Sequence, residues 1–276
     1  MSLFITSLNS GSNGNCYYIG NKKEAILIDC GISCKEIEKR MLRLQLEIKL
    51  LKAVFISHEH SDHIKGIEVL CKKYQIPVYC TSVTGQQCGF ATNFSQLNYF
   101  TNGDLVTIGE LKVQSFCKIH DANDPCSFSI SFKEIRVGVF TDLGVACTNL
   151  IHHFSQCNAA FLEANYDKEM LATGVYPWFL KKRISGGMGH LSNDEALTLF
   201  TNHRSPFLTH LILAHLSKNN NCPEKLAQLF SPYSNEVNII VASRNNETAV
   251  FEIGLKDSDV KKEKRGTYVQ AQFSFA

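Results

Sequence analysis

A short apolar run, KAVFIS (52–57), stops at HEHSDH (58–63), and IKGIEVLCKKY (64–74) then resumes with apolar residues at helical spacing. No other stretch constrains the chain so sharply. The run reads as a buried strand and the resumption as a helix. Between them four ligand-type side chains, His58, His60, Asp62 and His63, fall within six positions. An alternating pair leaving a strand projects His58 and His60 to one side. Asp62 and His63, on the turn before the helix, can then address a second ion a few ångströms away. Imidazole and carboxylate together suit zinc, manganese or iron.

Two ions need more ligands, and other strand ends supply them. His120 closes KVQSFCKIH, Asp142 closes IRVGVFTD and His215 closes HLILAH. Each alone reads more readily as a satisfied polar residue; three together, each after an apolar run, read as ligands. Asp142 has two oxygens and could bridge two ions around a shared nucleophile. Asp29 ends AILID in the same way. It is expected behind a histidine ligand, fixing that ring's tautomer, or else as a strand-end turn residue before Cys30 and Gly31.

The remaining pattern organises the chain around these strands. Strands are expected at 3–8, 15–20 and 24–29, with turn chemistry between them, and a helix over 33–46 capped by Ser33. A strand at IPVYC precedes a helix near 82–90, four strands follow over 104–141, and a helix is expected over 143–154. A strand at 158–164, helices over 166–184 and 192–203, a strand at 210–215, a helix at PEKLAQLF and two final strands complete the reading. One domain over residues 1–254 is expected, made of two packed mixed sheets with outer helices, an α+β arrangement, followed by a charged tail, 255–276.

Composition removes several alternatives. No apolar run approaches the ~18 residues of a membrane span, and the N-terminus lacks a signal-peptide pattern. Eleven cysteines, an odd number with no C-x-x-C pair, fit buried thiols in a reducing cytoplasm better than a disulfide framework. A net charge of +2 gives no bulk field for nucleic acid, although KKR (181–183) and KKEKR (261–265) are local basic clusters.

The order H-x-H-x-D-H, then an isolated His, an Asp and a final His, resembles the metallo-β-lactamase superfamily over about residues 3 to 253. The resemblance implies an αββα sandwich with two divalent ions at one edge, between the sheets. One ion would take His58, His60 and His120, the other Asp62, His63 and His215, with Asp142 shared. LNSGSNGNCYYIG, LIDCGIS, TDLG, GHLSNDEA and LILAHLSKNNN further resemble the YycJ/WalJ (VicX) branch. That branch implies phosphodiesterases acting on DNA, 5′-to-3′ exonucleases linked to repair. GHLSNDEA and AHLS are also similar to motifs of ribonuclease Z, where a histidine backed by an acidic residue protonates the leaving oxygen. By that match His190 is the general acid and Glu163 its partner, with Asp62 the third residue expected to be essential to catalysis. A hydrogen bond at the helix start or a ligand role for His190 stays open at this point.

Zinc is the default ion from the histidine content, with manganese or Fe2+ as rivals. The loop NSGSNGN (9–15) offers Ser10, Ser12 and Asn13 as phosphate contacts, or is a plain hairpin. Lys181, Lys182, Arg183 and Lys218 are candidate contacts to a nucleic-acid backbone. DNA is favoured over RNA because the chain has no long insertion to grip transfer RNA. A ribonuclease Z-like RNA phosphodiesterase and a glyoxalase II-type thioesterase remain the alternatives. No membrane partner is expected.

Overall fold

The computed structural model describes residues 1–90 and 94–255. The expected tail, with its basic cluster at 261–265, lies outside the described residues apart from Leu255. The first sheet is built from β1 (Ser2–Asn9), β2 (Cys16–Gly20), β3 (Ala25–Ile28), β4 (Leu51–Phe55), β5 (Val78–Thr81) and β6 (Leu97–Phe100). The second contains β7 (Leu105–Ile108), β8 (Leu111–Cys117), β9 (Cys126–Phe132), β10 (Ile135–Phe140), β11 (Ala159–Glu163), β12 (His210–Ala214) and β13 (Asn238–Val241). The last strand, β14 (Phe251–Gly254), returns to the first sheet and pairs antiparallel with β1. Both sheets are mixed: β3 to β6 run parallel, as do β10 to β13, and the other neighbours are antiparallel.

Strands buried on both faces explain the continuous apolar runs. In β3, Ile26 and Ile28 enter the core between the sheets, while Ala25 and Leu27 point the other way. In β11, Ala159 and Phe161 face the same central core, and Ala160 and Leu162 the opposite layer. The first sheet's outer face packs on α1 (Cys34–Arg43) and α3 (Ile67–Tyr74), through Ile37, Met41, Ile67 and Leu70. The second's packs on α5 (Thr148–Phe154), α8 (Asn193–His203) and α9 (Pro223–Phe230), through Phe154, Phe200 and Phe230. The result is the expected αββα sandwich. The short helices α2 (Ser61–Ile64), α4 (Ser82–Gln87), α6 (Lys168–Thr173) and α7 (Trp178–Ser185) lie between these elements in sequence. Among the described residues, no helix is long and apolar enough to cross a membrane.

Several expected elements differ in extent, three helices most clearly, and β6 was not among the expected strands. The helix over 33–46 ends at Arg43, because Gln45 adopts a left-handed backbone (φ 57°). The helix over 64–74 breaks at Gly66, whose missing side chain lets Ile32 O approach; a Cβ there would lie 2.0 Å from that oxygen. The helix over 143–154 starts only at Thr148; the backbone N–H groups of Leu143 and Gly144 instead bond Glu163 and Ile119.

Candidate active site

The parallel ladders align their C-terminal ends, the usual place for a ligand crevice in such sheets. Register pairs Phe140 with Leu162 and Glu163 with Ala214. Asp142, Glu163 and His215 therefore emerge at one level from three adjacent strands. Asp29 and His58 follow β3 and β4 in the facing sheet, and His120 follows β8. Asp29, Asp142 and His215 all have left-handed backbones, at φ 59°, 55° and 57°. Such conformations are uncommon for residues with a Cβ and cluster at functional sites.

The seven expected ligands converge. Donor atoms of His58, His60 and His120 lie within 4.8 Å of one another, as do those of Asp62, His63 and His215, and those of His58, His63 and Asp142. Protein partners orient most of the rings. His63 Nδ1 is 2.7 Å from Asp29 Oδ2, His58 Nδ1 is 2.9 Å from Ser57 Oγ, and His120 Nδ1 donates to Gly189 O at 3.0 Å. His215 Nδ1 is 2.7 Å from Glu163 Oε1. Each of these rings thus presents Nε2 to the cluster. His60 is the exception: its Nδ1 faces His58 Nε2 at 3.0 Å.

The unsatisfied atoms sit where a cation would. Among the described residues, His120 Nε2, His215 Nε2 and Asp142 Oδ2 are buried without a well-formed hydrogen bond, Asp142 Oδ2 lying 3.2 Å from His63 Nε2, and buried polar atoms are rarely left so. Imidazoles and carboxylates with aligned free lone pairs fit a divalent metal. The field at the cluster favours positive charge. Burial disfavours the charged form of His215, yet Asp142, Asp62 and Glu163 raise its pKa to about 10. Burial would raise Asp142, but His215 and His63 hold it well below the carboxylate range. Burial itself is the main force pushing His120 down to about 4. The cluster already balances positive charge against carboxylates.

His190 lies at the edge of this cluster, half-buried, with Nδ1 2.9 Å from Glu163 Oε1. Glu163 is fully buried, and its other oxygen accepts from Leu143 N at 2.6 Å and Leu191 N at 3.2 Å. Burial alone would raise its pKa; His190 and His215 bring it to about 2, so it stays a carboxylate. The cleft has a volume of about 240 Å³. Its walls include Asp142, His190, His215 and, further out, Ser12, Tyr176 and Arg183.

Of the expected substrate contacts, only Ser12 and Arg183 line this cleft. Ser10 is a correction: it is fully buried behind the site, its Oγ accepting from His215 N at 2.7 Å and bonded to Tyr17. Asn13 is exposed and donates to Arg244 O. Lys181 donates to Ala172 O, Lys182 lies over Trp178, and Lys218 is exposed without lining the cleft. Several site residues escaped sequence reading. Asn15 contacts Asp62 Oδ2 at 3.3 Å and His63 Nε2 at 3.1 Å, and Ser57 binds Asp29. Asp121 lies 3.4 Å from His120 Nε2 and pairs with Arg183 at 2.5 Å. Adjacency to His58 and His120 was the available signal for Ser57 and Asp121; Asn15 lies in the loop 9–15 read as a phosphate contact, and its place beside Asp62 and His63 was not read.

Residues 10–91 match the family model described as the metallo-beta-lactamase superfamily. The chain is 35% identical over 227 residues to an exodeoxyribonuclease YycJ of Bacillus anthracis, covering 81% of this chain and 86% of that one. This chain belongs to the metallo-β-lactamase superfamily, in its YycJ-like branch. It is a superfamily hydrolase. An exodeoxyribonuclease WalJ of Streptococcus pneumoniae is 33% identical over 222 residues, 79% of this chain and 82% of that protein. The metallo-β-lactamase fold protein YhfI of Bacillus subtilis superposes with a TM-score of 0.69 at 17% identity, covering 91% of this chain and all of the other (100%). That likeness supports the fold of this superfamily member.

Proposed function

We propose that the chain hydrolyses phosphodiester bonds in nucleic acid, as a DNA exonuclease with two divalent cations. One cation would be held by His58, His60 and His120 and the other by Asp62, His63 and His215, with Asp142 between them. Zinc suits the imidazoles, with manganese and Fe2+ as rivals. Bound there, the cations would neutralise phosphate charge and acidify a water. Asp29 and Ser57 keep the lone pairs of His63 and His58 turned inward. Arg183 stands at the rim for a non-bridging phosphate oxygen.

The observation that carries this reading is the Glu163–His190 contact at the edge of the cluster. With Nδ1 held by the carboxylate, His190 keeps Nε2 for the cleft, where it donates a proton to the leaving sugar oxygen. An alkoxide gains much from such a donor and a thiolate little, which favours phosphodiesters over thioesters. The names of the two bacterial relatives support DNA as the polymer, and the 5′-to-3′ direction and a repair role follow the branch resemblance.

The test is cleavage of end-labelled single- and double-stranded DNA by the metal-loaded protein, beside RNA and a hydroxyacyl thioester. DNA should shorten from the 5′ end, and Asp62→Ala should abolish the activity. Thioester turnover with intact DNA would overturn the proposal.

A further inference from the structure

Helix α7 forms one wall of the cleft but buries none of its own residues. Tyr176, Leu180, Arg183 and Ile184 line the cavity. The rest of the segment leaves large apolar groups in water: Val175 is 93% exposed, Trp178 73%, Phe179 70% and Met188 51%. A surface helix normally turns its apolar stripe inward, and a contiguous exposed apolar patch marks a binding surface. Basic groups are interleaved with the rings. Phe179 is four residues before Arg183 and so shares its flank beside the cleft. Lys182 Nζ stands 5.0 Å from the Trp178 ring centroid. The helix, WFLKKRIS, has no acidic residue.

We propose that α7 is a stacking platform for the unpaired bases of a nucleic-acid strand whose scissile phosphate enters the cleft. The inference rests on the nucleic-acid reading above and specifies the substrate as a single-stranded or frayed end. Flat aromatic faces flanked by Lys181 and Lys182, on a helix without acidic residues whose Arg183 is shared with Asp121, match the bases and phosphates of a polyanion. A lipid surface fits less well, because the patch is one short helix opening onto a polar, histidine-lined cavity. Stacking on aromatic side chains tolerates any base, so the platform confers strand state and not sequence.

The chain's single tryptophan is Trp178 itself, so its emission reports on this helix directly. The full chain carrying Asp62→Ala, which keeps the DNA intact, is titrated with an eight-nucleotide oligothymidylate. Saturable quenching is expected. Labelled-oligonucleotide anisotropy should show Phe179→Ala and Trp178→Ala each weakening binding about ten-fold. A blunt duplex of equal length should bind at least about ten-fold more weakly. Tyr99→Ala, an exposed aromatic (59%) that does not line the cleft, should leave affinity unchanged. Affinity indifferent to both rings would overturn the platform even where the wild-type chain degrades DNA. Quenching by anionic vesicles or by rising protein concentration, and not by the oligonucleotide, would overturn it too, assigning the face to a membrane or a second copy. Ring-dependent oligonucleotide binding by a chain that cleaves no nucleic acid would instead retire the nuclease reading and leave the platform standing.

Discussion

Glu163 accepts from two imidazoles and two backbone amides at once. It therefore ties the proposed acid, His190, to a proposed ligand, His215. The two roles separate by mutation. His190→Ala should cut turnover about 10²–10⁴-fold while metal content stays constant. Glu163→Gln should lower turnover and also weaken metal affinity, by about 10–100-fold; turnover and elemental analysis read both. Away from the cleft, His153 stacks on Phe116 at 4.0 Å between ring centroids. Burial foremost, with His152 and Arg136, lowers its pKa from 6.5 to about 4. The unfolded chain then binds the extra proton, so stability is present above pH 6.5 and is lost as pH falls towards about 4. His153→Phe should flatten the fall of Tm across that window. The thiols follow the same physics of burial. Burial pushes Cys71 and Cys157 up to about 12, and Cys117 is the exposed one. A thiol reagent at pH 8 should modify Cys117 first, slowed because partial burial and Asp124 raise its pKa, and reach the buried thiols only after denaturation.

At the scale of elements, the site depends on how segments end. Helix α8 begins with a capping box in which Ser192 Oγ accepts from Glu195 N, and the Glu195 side chain accepts from Ser192 N. That box sits two residues after His190. Ser192→Ala should cost about 1 kcal/mol in denaturant unfolding. Gly31 allows a closer approach still: a Cβ there would lie 1.7 Å from Asp62 O. Gly31→Ala should destabilise by about 1–3 kcal/mol and loosen metal binding by moving Asp62. The pattern SNDE announces the cap in the sequence. The approach at Gly31 was not legible, because it joins segments thirty residues apart through backbone atoms. The same limit hides the tertiary bonds of the Leu143 and Gly144 amides to Glu163 and Ile119.

At the scale of the molecule, two seven-stranded mixed sheets bring strand ends from distant parts of the chain to one edge. The two-sheet architecture was readable because each strand is an apolar run that stops at a polar residue. HEHSDH, His120, Asp142 and His215 were readable for the same reason. The contact map was not. Ser10 turned inward because the loop after β1 meets the strand ends of the second sheet, where Ser10 bonds Ser243 O and His215 N, and most of the expected basic contacts stayed on the surface. Asn15 and Asp121 gained their places only through tertiary folding. The proposed chemistry therefore depends on the cluster itself. The direct measurement is metal stoichiometry of the purified, zinc-loaded chain after dialysis. It predicts two ions per chain, falling in Asp142→Ala. A chain that retains no ion, or the same number without Asp142, would contradict it.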